Sequence, residues 1–180
     1  MLSSRRVSVL LLGALVLVVM ALVGITGVLR AVSASPDTAT NAKEARSTTI
    51  TVVTKTGGIK VVDLGPRGPS QGDMRVFSVT LYDEGGKEKV GRLDAFCVVT
   101  DPADEPNEKA HMAECTYTYT LPGGEINAQG VNAYPKLSEP APRSVDAITG
   151  GTGKYAGVRG ERRFETHGNK VTDTLHLIDD

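Results

Sequence analysis

The sequence predicts an all-β domain, a small antiparallel β-barrel, and three observations carry that expectation. From Thr48 onward, runs of Val, Ile, Thr, Tyr and Phe are separated by Gly, Pro, Asp and Asn, the composition of short strands and their turns. Turn residues cluster between the runs, at Asp83-Glu84-Gly85-Gly86, Pro122-Gly123-Gly124 and His167-Gly168-Asn169, as hairpins require. No stretch of this part sustains a helical apolar repeat over three turns. About eight short strands at regular spacing mean a barrel or a sandwich, and closure favours the barrel because it removes exposed strand edges.

Residues 1–34 are unlike the rest. Arg5 and Arg6 precede a run from Val7 to Leu29 without a charge, and Val32-Ser33-Ala34 follows with small residues where a signal peptidase reads. A basic start, an apolar run and a small-residue site are the parts of a secretory signal. The run exceeds the roughly 7–15 residues of a signal core and reaches the roughly 17–25 of a membrane-spanning helix. Two readings stay open: a cleaved signal, or an uncleaved anchor through residues 7–29 with its basic end in the cytoplasm. Either places the following domain outside the cytoplasm, secreted or membrane-anchored. Ser4-Arg5-Arg6 is similar to a twin-arginine signal, but the strongly apolar core argues against that route.

Residues 35–47, rich in Ser, Thr, Ala and Asn without a periodic apolar face, read as a flexible linker. Residues 48–180 suffice for one domain with its own core. The strands expected there are 48–55, a short piece at 59–63, then 73–82, 89–100, 110–121, 125–134, 144–149, 154–164 and 170–178. Formal net charge is −1, from 20 Lys and Arg against 21 Asp and Glu, interspersed along the chain. No basic stripe invites nucleic acid or marks a membrane-surface helix.

Cys97 and Cys115 are the two cysteines, both in the exported part. An even count outside the cytoplasm favours a disulfide over two buried thiols. If residues 101–109 form a hairpin loop, setting Cys97 opposite Cys115 also sets Val99 opposite Ala113, Ala95 opposite Tyr117 and Leu93 opposite Tyr119. Side chains alternate faces along a strand, so these eight share one apolar and aromatic face, while Glu114, Thr116, Thr118 and Thr120 take the other. The cysteine register and the apolar pattern agree. Bridging that hairpin would constrain the unfolded chain by roughly 3 kcal/mol.

Specific segments then carry a resemblance. GRLDAFCVVT from Gly91 is followed by a charged loop, by CTYTYTLPGGEINAQG from Cys115, and by AITGGTGKYAGVRGE from Ala147 to Glu161; DMRVFSVTLYD from Asp73 precedes them. In that order they resemble the allene oxide cyclase and dirigent-protein superfamily, over about residues 72–178. The strand ending Cys97-Val98-Val99 and Gln129-Gly130 resemble the cyclase; the glycine run with Tyr155 resembles both families. The resemblance implies an eight-stranded antiparallel β-barrel with an apolar cavity, commonly a homotrimer, and an isomerase or cyclase as one possible activity. The chain departs from the plant enzyme where its chemistry lies. Residues 48–55 (TTITVVTK) lack the catalytic Glu and its neighbouring Asn, and Val79 stands where the cyclase has an Asn. Only Cys97 coincides with a cyclase pocket residue, and a disulfide would remove its thiol.

Other motifs point elsewhere only superficially. Gly151, Gly153 and Ala156 fit a dinucleotide fingerprint, which works only between a strand and a helix, and residues from Tyr155 to Phe164 read as strand. Gly153-Lys154 also imitates a phosphate loop, but Ile148 and Tyr155 replace its first glycine and its Ser/Thr. Tight turns need such glycines anyway. His111, His167 and His176 show no ligand spacing, the cysteines no CxxC spacing, and no nucleophile elbow is present; no metal or cofactor is expected. What remains is the cavity. Leu93, Tyr117 and Tyr119 would line a ligand site if their face points inward, the bland alternative being a filled core. Asp73 and Glu125, near strand ends, are the weak candidates for a catalytic acid or base. The sequence thus predicts an exported barrel that binds a small apolar or amphipathic molecule, with a cyclase that shapes a reactive substrate and a structural envelope protein as alternatives.

Overall fold

Alternation of apolar and polar residues with period 2 gives each strand one face for an interior and one for water. The computed structural model describes residues 46–103 and 108–179, and in it nine strands follow one another: β1 (Arg46–Lys55), β2 (Lys60–Val62), β3 (Met74–Tyr82), β4 (Lys89–Asp101), β5 (His111–Leu121), β6 (Gly124–Tyr134), β7 (Arg143–Gly151), β8 (Arg159–His167) and β9 (Lys170–Asp179). The leader, residues 1–34, and most of the linker lie outside the described residues. β1 begins at Arg46, two residues earlier than the apolar pattern suggests, because its polar start pairs with β9 at Arg46↔Asp179 and Ser47↔Ile178.

Every pairing is antiparallel, in the order β1-β9-β8-β7-β6-β5-β4-β3, and β1 meets β3 at Val53↔Tyr82 to close eight strands into a barrel. β2 lies outside that ring on the free part of the β3 edge, at Lys60↔Val76 and Val62↔Met74. The seam between β1 and β3 is therefore joined at one end and parted at the other, where the turn after β1 crosses it.

The β4–β5 hairpin has the expected register, with Cys97↔Cys115, Val99↔Ala113, Ala95↔Tyr117 and Leu93↔Tyr119. A disulfide joins Cys97 to Cys115. All eight side chains are buried in the barrel core. Val52, Leu81, Ile126, Ile148, Phe164, Leu175 and Leu177 complete that core from the other strands.

One expected strand is corrected. Residues 154–164 do not run as strand from Lys154. A 3₁₀ turn, Gly153–Tyr155, comes first, and β8 begins at Arg159. The β-propensity of Tyr155 loses here to close packing. Gly153 has φ +60°, and a Cβ on it would lie 2.1 Å from the Gly123 carbonyl oxygen. The Lys154 N–H donates to that same oxygen at 2.8 Å, so the turn is fastened to the β5–β6 hairpin. Tyr155 and Val158 are buried as a result and cover the barrel end formed by the start of β6 and the end of β9. The glycine run is thus a cap on one end of the barrel, joining strand to strand with no α-helix.

Candidate functional site

The other end is where the interior opens. The last residues of β1, the first of β3 and β9, and the last of β6 and β8 gather there. A cavity enters between Thr54, the 55–59 turn, Pro140 and Ala141, and reaches Phe77, Leu93, Tyr117 and Phe164. The space totals about 460 Å³ with its open mouth included, and the room it leaves for the centres of water-sized molecules is about 50 Å³. That admits a few waters or the narrow body of a small molecule, because large side chains already occupy the interior.

Those side chains form a polar belt that crosses the barrel. Arg162 on β8 is its centre and is 3% exposed. Its Nη1 pairs with Asp146 Oδ2 at 2.5 Å and its Nη2 with Asp173 Oδ1 at 2.6 Å. Its Nε donates to Asp173 Oδ1 at 2.8 Å and to the Tyr119 hydroxyl. The guanidinium also stacks on the rings of Tyr117 and Phe164, 3.9 and 4.3 Å from their centroids. Asp146 accepts from Asn132 Nδ2 at 3.0 Å and Ser144 Oγ at 3.1 Å. Tyr119 donates to Asp173 Oδ1 at 2.7 Å. Asp146 has room because residue 130 is glycine: a Cβ there would lie 2.4 Å from Asp146 Oδ1.

From Tyr117 the belt continues to the opposite wall. The Tyr117 and Tyr134 hydroxyls are 3.3 Å apart, and Tyr134 Oη lies 3.1 Å from Cys115 Sγ. Over the Tyr134 ring, 3.7 Å from its centroid, lies the guanidinium of Arg75, itself 1% exposed. Arg75 Nη2 donates to the Glu139 carbonyl at 2.9 Å; its Nε and Nη1 have no partner, nor has Asp173 Oδ2.

Burial and charge work against each other in this belt. Desolvation opposes the charge on Arg162, but Asp173, Tyr119, Tyr117 and Asp146 around it hold its pKa well above the ordinary arginine value. Arg75 lacks such company. Burial pulls its pKa down, and Tyr134 and Tyr117 offset that only in part. Burial also pushes the phenols of Tyr117, Tyr119 and Tyr134 up, so all three are neutral hydroxyls across the physiological range.

The sequence-selected residues fall in three places. Leu93 and Tyr117 border the cavity; Tyr119 is fully buried behind them, on Asp173 and Arg162. Cys97 and Cys115 are bonded to each other beside Tyr134. Asp73 and Glu125 are not brought together. Asp73, just before β3, accepts the Leu64 N–H at 2.9 Å and the Ser70 N–H at 2.8 Å, and so clamps the loop that leads into β3. Glu125 opens β6 at the capped end, opposite Thr120, whereas Tyr134 at the cavity closes the same strand, roughly 30 Å away at 3.3 Å per residue. Among the described residues no three His, Cys, Asp or Glu are grouped to hold a metal. His111, His167 and His176 instead meet Pro102, Glu165 and Thr49.

The clamp at Asp73 has a pH signature. The Leu64 N–H, opposed by burial and helped by Ser70, holds the Asp73 carboxyl below the ordinary value of 3.8. A carboxyl with a lower pKa folded than unfolded binds protons more readily when the loop is open, so acid favours opening. Protection of the Leu64 and Ser70 amides, their exchange relative to the intrinsic rate at each pH, is expected to hold above pH 3.8 and to fall as pH drops below it. NMR exchange rates measured on descending pH check this.

Arg75, Asn132, Tyr134, Asp146, Arg162 and Asp173 were not selected from sequence. A signal was present, since each lies in phase with the apolar face of its strand: Arg75 with Phe77 and Leu81, Asp146 with Ile148, Arg162 with Phe164, Asp173 with Val171 and Leu175.

An antiparallel eight-stranded barrel, capped at one end and open at the other onto a cavity with aromatic walls, is the architecture of the small closed β-barrels. The family model for the allene oxide cyclase barrel like domain matches residues 38–175; the chain belongs to that family. Comparison with curated proteins by sequence finds no match. Among solved structures, a pyocyanin demethylase is 28% identical, with a TM-score of 0.59 over 72% of this chain and 99% of that one. The Diels–Alderase AbmU from Streptomyces koyangensis is 14% identical, with a TM-score of 0.54 over 76% and 69%. The pterocarpan synthase dirigent protein GePTS1 is 17% identical, with a TM-score of 0.53 over 76% and 87%. The last two likenesses concern the fold.

Proposed function

We propose that the protein is an exported barrel that takes a small amphipathic molecule into its interior through the mouth at the 55–59 turn and the 140–141 segment. The observation that carries this reading is the cavity itself: apolar walls from Phe77, Val79, Leu93, Phe164 and Val171 surround polar atoms that lack partners, on Arg75 and Asp173. Pockets that bind small molecules combine an apolar lining with a few placed polar groups. Buried donors and acceptors without partners are costly in a core that serves packing alone. Export is supported by the basic and apolar leader and by the disulfide, which persists in oxidising compartments. The homotrimer implied by the resemblance belongs to the same proposal, and outward-facing Val131 and Val145 on β6 and β7 offer it an apolar surface.

A second reading, enzyme rather than carrier, is favoured by one feature. Asp173 borders the cavity and keeps one buried carboxylate oxygen, Oδ2, without a hydrogen-bond partner, the kind of group that serves as a general base. The likeness to a pyocyanin demethylase suits this reading. It would act on a substrate held in the same interior, without the plant cyclase's Glu and Asn.

Native mass spectrometry of the protein recovered from an oxidising compartment tests both readings. A retained small mass that leaves on activation supports the carrier, and a retained mass that converts to another on incubation supports the enzyme. A protein that emerges empty, and stays empty after exposure to amphipathic aromatic compounds, contradicts interior binding. The same spectra report the N-terminus, the disulfide and the oligomeric state.

A further inference from the structure

We propose that Arg75 is the head-group site of the cavity, and that the molecule it receives carries one oxyanion, a carboxylate or phenolate, on a small apolar or aromatic body. The inference rests on the interior-binding reading and adds the chemistry of the ligand to it.

The argument is one of charge placement. Five charged side chains are buried among the described residues, Asp73, Arg75, Asp146, Arg162 and Asp173, and the Asp73 carboxylate is taken by the Leu64 and Ser70 N–H groups. The Asp146 and Asp173 carboxylates are taken by Arg162. Arg75 is left with a neutral partner, the Glu139 carbonyl, and with the face of the Tyr134 ring. An arginine keeps its charge in a protein, and a buried charge without a counter-charge is unfavourable. Holding the 135–142 segment to the barrel wall requires only one donor, which a neutral side chain can supply.

The geometry agrees. With its face stacked on Tyr134, the guanidinium turns its edge, where the N–H groups lie, away from the ring. Nε and Nη1, on opposite sides of the guanidinium, are buried without a partner, and Arg75 borders the cavity. Tyr134 is held from behind by Cys115 and Tyr117, so the platform under Arg75 is fixed. Phe77, Leu93, Phe164 and Val171 supply the walls for an apolar body. A dianion fits poorly, because Arg75 is a single cation without an ion-pair partner and the Asp173 carboxylate borders the same space. A single oxyanion would give Arg75 the ion-pair partner it lacks.

The test uses 2-naphthoate and its neutral amide, 2-naphthamide, which share a body and differ in charge. Titration calorimetry on the wild-type protein is expected to give naphthoate at least about tenfold tighter binding, as a charge-assisted hydrogen bond warrants. In Arg75→Met, and in Arg75→Gln should the methionine variant fold poorly, the preference should vanish while naphthamide binds within about threefold of wild type. Equal affinities in the wild type, a comparison that needs no variant, would overturn the Arg75 assignment and leave interior binding standing. A preference that survives both substitutions would do the same. Binding of neither compound would overturn both.

Discussion

Arg162→Met is expected to lower unfolding stability by about 3–5 kcal/mol, the loss typical of breaking a buried ion pair from one side. Methionine keeps an unbranched apolar stem but lacks the guanidinium, so its packing on Tyr117 and Phe164 is lost along with the charge. It strands Asp146 and Asp173, both fully buried, and takes the donor from Tyr119. Domains of this size have roughly 5–15 kcal/mol to lose, so the variant should unfold at much lower urea or at ordinary temperature. The triple variant Arg162→Met, Asp146→Asn, Asp173→Asn should recover a large part of the loss, because neutral amides are far cheaper to bury than carboxylates. Equilibrium urea unfolding checks the pair. A loss under about 1 kcal/mol, as surface pairs give, would mean that the belt is wetter than its burial implies.

Removing the disulfide is the second large effect. Cys97 and Cys115 are 18 residues apart, and opening a loop of that length frees about 3 kcal/mol of unfolded-state entropy. Cys97→Ala with Cys115→Ala should therefore shift the urea midpoint by about 1–3 M at the slopes usual for small domains. The change also frees the Tyr134 hydroxyl, 3.1 Å from Cys115 Sγ, so Arg75 loses part of the support beneath its ring platform. Unchanged stability with reductant present throughout unfolding and refolding would contradict this account of the bridge.

Much of the fold is legible because period-2 patterning and cysteine register are local. Leu93, Ala95, Cys97 and Val99 alternate on one strand and find Tyr119, Tyr117, Cys115 and Ala113 across one hairpin, a pairing that needs no knowledge of the rest of the barrel. The polar belt is different in kind. Arg162 gathers Tyr119 from 43 residues away, Asp146 from 16 and Asp173 from 11, and only barrel closure brings β5, β7, β8 and β9 to one point. The charges in phase with apolar residues mark which side chains go inward, yet not which of them meet. Tyr117 and Tyr119 illustrate the limit, since both share the inner face but only Tyr117 borders the cavity. The late start of β8 has the opposite cause. Tyr155 carries high β-propensity, but the positive φ of Gly153 and its contact with Gly123 bend the chain into a turn first.

A crystal structure of the protein grown with 2-naphthoate tests interior binding most directly. The account predicts the naphthalene body among Phe77, Tyr117 and Phe164, behind the mouth at Pro140 and Ala141, with its carboxylate on Arg75. Naphthoate seated instead in the outer groove beside Lys60 and Phe96, with Arg75 still against Glu139 and no ligand inside, would contradict it.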